Sequence, residues 1–152
     1  AYARLKKARD HISKVVLLGP SHRVPLTGLA ATNADLFKTP LGTVEIYKQA
    51  IDSIRHLPQV HMMDEAHAME HSLEVHIPFL QTVLEHFTLI PLVVGEATPE
   101  QVSEVIDLLW GGPETLIVIS SDLSHYHDYE TARKMDSRTS KAIESMRSQD
   151  IN

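Results

Sequence analysis

The residues able to do chemistry fall into a few local groups. His22 stands at the end of Gly19-Pro20-Ser21-His22, directly after an apolar run. A neutral imidazole at a loop end is a common ligand for zinc, copper or iron. The alternative is a loop histidine that only hydrogen-bonds nearby carbonyls. Asp122 and His125 form a second group in the loop Ser-Asp-Leu-Ser-His-Tyr-His-Asp. A carboxylate and an imidazole three residues apart can act as base and orienting partner, or share a metal. The alternative there is that Ser121 or Asp122 caps a following helical turn. His127 is a further candidate in the same loop.

The densest group is His67-Ala-Met-Glu70-His71-Ser-Leu-Glu74-Val-His76. On one continuous helix, Glu70 and Glu74 share a face, and so do His67, His71 and Glu74. That face is either a metal-binding surface or a charged, solvated one with local ion pairs. The order does not match H-E-x-x-H, because Ser72 follows His71. Ser21 sits in G-P-S-H and not in a G-x-S-x-G nucleophile elbow. Neither glycine-rich nucleotide-binding motif is present. His11, His56, His61 and His86 read as surface or helix-end residues.

These groups need elements to position them. Lys14–Gly19, Thr88–Gly95 and Thr115–Ser120 are short, continuous apolar runs, as expected of buried strands. Val60–Met63 reads as a short further strand, and Leu29–Phe37 as an irregular one. Between them lie helical patterns. Residues 1–9 read as a basic amphipathic helix. Thr43 is expected to cap a helix carrying Val44, Tyr47, Ile51 and Ile54. A helix from Asp64 is expected to bury Met69, Leu73, Ile77, Leu80, Leu84 and Phe87, with a kink or break at Pro78. Thr98-Pro99-Glu100-Gln101 is a capping box before Val102, Val105, Ile106 and Leu109. A last helix carries Met135, Thr139, Ala142, Ile143 and Met146 on one face. Pro91 is expected to place its strand at an edge or to mark the strand's start.

Strands alternating with helices predict an α/β fold: three layers, a mostly parallel sheet and helices on both faces. In such sheets ligands bind beyond the carboxyl ends of strands. The loops bearing His22 and His125 both follow buried strands, so the two are expected in one crevice.

Composition bounds the function. The chain has 152 residues, 14 Lys+Arg, 20 Asp+Glu and a net charge of −6, which speaks against a nucleic-acid or anionic-membrane surface. No apolar run approaches the roughly 20 residues that span a bilayer. With no cysteine, disulfides, thiolate ligands and a Cys nucleophile are excluded within this chain. The cytoplasm is the expected compartment. Ten histidines are the compositional anomaly. Ala1 starts inside a helical pattern and Asn152 follows another, so residues 1–152 are expected to form a single, incomplete domain, an internal piece of a longer protein.

LLGPSHRVPL, TPLG, EHSLEVHIPFLQ, PLVVG and ISSDLSHY occur in that order. Together they closely resemble the Memo family, called AmmeMemoRadiSam system protein B in prokaryotes, with Arg23 where other members carry a second His. The family is similar in fold to class III extradiol ring-cleaving dioxygenases, so the resemblance implies a Memo/extradiol-dioxygenase-like domain truncated at both ends. It implies that His22 is a metal ligand, that His125 occupies the acid/base position with Asp122 beside it, and that Glu70 and His71 lie near the same pocket as Ser21. The other two ligands, a His and a Cys, are expected outside residues 1–152. The implied function is a metal-dependent, dioxygenase-like oxidoreductase role with iron or copper on an unknown small molecule. The alternative is a non-catalytic binding or adaptor protein working with AMMECR-like and radical-SAM partners.

Overall fold

A computed structural model describes residues 2–147. The chain divides into two compact units, one up to Ser120 and one from Ser121 onward.

The first unit is built on a five-stranded sheet. Its strands are β1 (Lys14–Pro20), β2 (Leu29–Ala31), β5 (Val60–Met62), β6 (Thr88–Val94) and β7 (Thr115–Ile119), in the order β5-β2-β6-β1-β7. β1 pairs in parallel with both β6 and β7, and β2 pairs in parallel with β5. The short β2–β6 pairing is antiparallel. Helices flank this mostly parallel sheet, giving the expected three-layer α/β arrangement. The reason is visible in β1 and β6, which share the burial pattern of five consecutive buried residues. A strand buried on both faces needs a helical layer over each. Val15, Val16, Leu17, Leu89, Ile90, Leu92 and Val93 form the centre of the core.

Pro91 does not mark an edge. β6 is the middle strand, and Pro91 lies opposite Leu17 of β1. On its other side β2 pairs only with Val93 and Val94, so the missing Pro91 N–H interrupts no ladder there.

The segment Leu29–Phe37 is not one irregular strand but parts of two sheets. After β2 the chain forms β3 (Leu36–Thr39), which pairs with β4 (Gly42–Glu45) in an antiparallel hairpin. Gly42, at φ 121°, makes the tight reversal after Pro40-Leu41. The helix expected from Thr43 therefore begins later, as α1 (Lys48–Ile54). Ile46 bridges to Leu89, and the Tyr47 N–H donates to the Leu89 carbonyl at 2.9 Å. Pairing with β3 and β6 overrides the helical spacing of Val44 and Tyr47.

The single helix expected from Asp64 is instead α2 (Glu65–Ala68), α3 (His71–Glu74) and α4 (Ile77–Val83). Glu70 takes an extended backbone (φ −94°, ψ 130°), which breaks the first pair. Pro78 sits in the first turn of α4, where its missing N–H costs nothing. Leu73, Ile77, Leu80 and Leu84 are buried as expected, but Met69 is 67% exposed because it falls in the break. Tyr2–Ala8 is a 3-10 helix, not an α-helix. α5 (Pro99–Leu109) carries the complete Thr98–Gln101 capping box.

The second unit contains the loop from Ser121 and α6 (Tyr129–Glu144). Asp128 caps α6 by accepting from the Glu130 and Thr131 N–H groups at 3.1 Å each. The capping role considered for Ser121 or Asp122 thus belongs to Asp128. Ala142 is buried, whereas Met135, Ile143 and Met146 of the expected apolar face are exposed. No helix among the described residues is long and apolar enough to cross a membrane.

Candidate functional site

The loop after β1 is held from two directions. The Ser21 N–H donates to the Val94 carbonyl at the end of β6 at 2.8 Å, and Ser21 Oγ donates to the Val24 carbonyl at 2.6 Å. The Ser21 hydroxyl therefore folds its own loop. An open depression of about 520 Å³ lies here at the strand ends, lined by Ser21, Val24, Leu26, Val94 and Glu96 among others.

The second hold comes from α3. Glu70 is the residue before that helix, and its carboxylate accepts from the His71 and Ser72 N–H groups, both at 3.0 Å. The same carboxylate reaches His22. Glu70 Oε2 accepts from the His22 N–H at 2.6 Å, and Oε1 pairs with His22 Nδ1 at 2.9 Å. Ser72 Oγ donates to the Pro20 carbonyl at 2.8 Å. Leu73 Cδ2 and Ser72 Oγ lie 2.7 and 2.9 Å from where a Cβ on Gly19 would be, so only glycine lets α3 come this close to β1. The run Glu70-His71-Ser72-Leu73 thus clasps Gly19-Pro20-Ser21-His22.

The Glu70 side chain is only 3% exposed, while that of His22 is 47% exposed. Burial by itself would raise the Glu70 pKa. The hydrogen bonds from the His22 ring and backbone and from Ser72 outweigh it and lower the pKa to about 2. Glu70 is therefore an anion that can only accept, and the proton in its bond to His22 belongs to Nδ1. With Nδ1 so engaged, a neutral His22 would meet a metal through Nε2. A carboxylate on the far nitrogen is the usual outer support of a metal-ligating histidine.

The shared faces expected from helical spacing do not form. Glu70 is buried, whereas His71 and Glu74 are exposed and pair with each other, His71 Nδ1 to Glu74 Oε1 at 2.6 Å. Of the Glu70-His71 dipeptide, only Glu70 reaches His22 with its side chain; His71 contributes its backbone N–H to the Glu70 carboxylate. His67 turns inward: its Nε2 lies 3.1 Å from the Ala30 carbonyl, and burial lowers its pKa below the ordinary histidine value. No sequence signal distinguished it from its neighbours. In the second unit, His125 Nε2 and Asp122 Oδ2 stand 3.8 Å apart, an ion-pair distance, with both side chains more than half exposed. Ser124 N–H donates to Asp136 Oδ1 at 2.9 Å and ties this loop to α6.

Among the described residues, no three His, Cys, Asp or Glu side chains converge as a metal site. What unit one offers is one histidine braced by a carboxylate, which fits a single ligand position and not a full coordination sphere.

Comparison with known proteins agrees with these motifs. The family model described as Memo-like protein matches residues 1–152. A MEMO1 family protein of Aquifex aeolicus is 36% identical over 142 residues, covering 91% of this chain and 53% of that protein. A MEMO1 family protein of Thermotoga maritima is 33% identical over 141 residues, covering 88% and 50%. Protein memo-1 homolog of Caenorhabditis elegans is 28% identical over 167 residues, covering 96% and 48%. The chain spans about half the length of these relatives. With the clasped G-P-S-H loop, the E-H-S turn and a match along the whole sequence, the chain belongs to the Memo-like protein family.

Proposed function

We propose that this chain supplies part of a metal-dependent redox centre acting on a small molecule. The observation that carries the reading is the His22–Glu70 pair. A buried carboxylate that fixes both the backbone and Nδ1 of one loop histidine is costly to build, and it orients the imidazole as a ligand requires. In this reading His22 holds iron or copper through Nε2, with the remaining ligands supplied from outside residues 1–152. The bound ion would supply electron exchange with the substrate. Asp122 and His125 serve as the acid/base pair.

Metal analysis of the full-length protein tests this. His22→Ala is expected to lower iron or copper content at least tenfold. His125→Ala is expected to keep the metal and to lower turnover by about 10²–10⁴, followed by oxygen uptake or reductant consumption. Full metal content in the His22 variant would overturn the ligand assignment. A full-length protein holding no metal would favour a binding or adaptor role, with AMMECR-like and radical-SAM proteins as the partners to test.

A further inference from the structure

The β3–β4 hairpin forms a two-stranded sheet of its own and borders a half-open cavity of about 290 Å³. Two strands alone are marginally stable in water, so the hairpin depends on what it packs against. At its base Ile46 bridges to Leu89. Nearer its turn Thr39 Oγ1 bonds to Gln81 Oε1 at 2.6 Å. Between these holds Val44 is buried, and Phe37 meets the His67 ring of α2 edge to face, with ring centroids 5.9 Å apart.

His67 is shut in under this contact. Its Nε2 faces the Ala30 carbonyl at 3.1 Å, so a neutral ring carries its proton there. Nδ1 is sealed from solvent and has no hydrogen-bond partner among the described residues. The charged groups around the cavity are Lys38 of β3, Asp64 before α2, and Glu70 and Glu74 at either end of α3. The carboxylates are engaged: Asp64 by Thr32 and Asn33, Glu70 by His22, His71 and Ser72, and Glu74 by His71. Asp64 and the Ala30 and Ala31 carbonyls favour a protonated ring, but burial outweighs them and keeps it neutral. Protonation in place would create a second N–H with no acceptor at bonding distance, where water does not reach. An opening that admits water removes that cost. On the other side of His67 lies β2, paired within the five-stranded sheet, so the hairpin is the cover with fewer holds.

We propose that the β3–β4 hairpin is an acid-released lid: a proton taken up by His67 lifts Phe37 and its strand off α2 and opens the cavity to solvent. The closed form keeps the neutral ring, and the open form takes the proton as an ordinary histidine does. Opening therefore gains as pH falls below 6.5, by up to about tenfold per pH unit, the effect of one proton. The gain ends below the closed-form pKa. The lid needs neither His22 nor a metal, and it stands if the metal reading fails.

NMR of the full-length protein between about pH 5 and 8 tests this. Amide exchange in β3 and β4, corrected for its intrinsic pH dependence, is expected to speed up below 6.5 by up to about tenfold per pH unit, with β1 unchanged. The Phe37 ring resonances should shift with the midpoint of the His67 titration. His67→Gln keeps a donor for the Ala30 carbonyl but takes no proton, and should lose the acceleration. Acid effects passed on by His22 or His76 persist in that variant, so the difference isolates His67. If the variant does not fold, the native titration decides alone. Protonation of His67 with Phe37 and the hairpin amides unmoved, equal acceleration in His67→Gln, or faster exchange confined to α2 would each overturn the proposal.

Discussion

The Glu70 carboxylate holds His22 twice, at its backbone N–H and at its ring Nδ1, across 48 residues of sequence. It also accepts from the first two N–H groups of α3. One side chain therefore fixes a loop, a ring orientation and a helix start together.

Removing it should cost stability. Glu70→Ala strips a helix cap and leaves several donors unmatched. A loss of about 2–4 kcal/mol is expected from urea unfolding of the full-length protein. Glu70→Gln keeps one acceptor oxygen and should lose less. A loss below about 0.5 kcal/mol for the alanine variant would show that the clasp contributes little.

The same residue should matter to metal binding if His22 is a ligand. Glu70→Gln is expected to weaken metal affinity by about 10–100-fold, the usual effect of losing outer support. Glu74→Gln, which disturbs only the exposed pair with His71, should leave affinity unchanged. Competition with a chelator of known affinity measures both. Equal effects in the two variants would argue against orientation through Glu70.

Gly19→Ala tests how close α3 must approach. The new Cβ would meet Leu73 Cδ2 at 2.7 Å and Ser72 Oγ at 2.9 Å. A loss of about 1–3 kcal/mol is expected from this overpacking. If α3 moves away instead, the Ser72–Pro20 and Glu70–His22 bonds should weaken, and amide exchange at His22 should speed up.

Acid should act through His67 before it acts through Glu70. Burial lowers the His67 pKa below 6.5 in the folded state. As pH falls through 6.5, the unfolded chain gains a proton that the folded chain still refuses. Stability contributed by the neutral ring is thus fully present above 6.5 and is lost progressively from there down to the folded pKa. His76, also lowered by burial, adds to the loss in the same direction. In His67→Phe the decline should be shallower, by up to about 1.4 kcal/mol per pH unit, the value for one proton. Identical pH profiles for variant and native protein would place His67 in contact with water.

Sequence by itself determined the strand runs of β1, β5, β6 and β7, the Thr98 cap and the parallel α/β class, because each depends on neighbours within a few residues. It also determined the family, through the order of its motifs. Local spacing failed at Thr43 and from Asp64 to Phe87, where sheet pairing and an extended Glu70 broke the expected helices. Glu70 and Glu74 look alike at i,i+4, yet one is buried and the other exposed. That difference is decided by His22, far away in the chain. His67 is likewise one histidine among ten until Ala30, Phe37 and the hairpin close around it. Periodicity records which face a residue shares with its neighbours. Hydrogen bonds between distant segments, and the burial that strengthens them, exist only once those segments have packed.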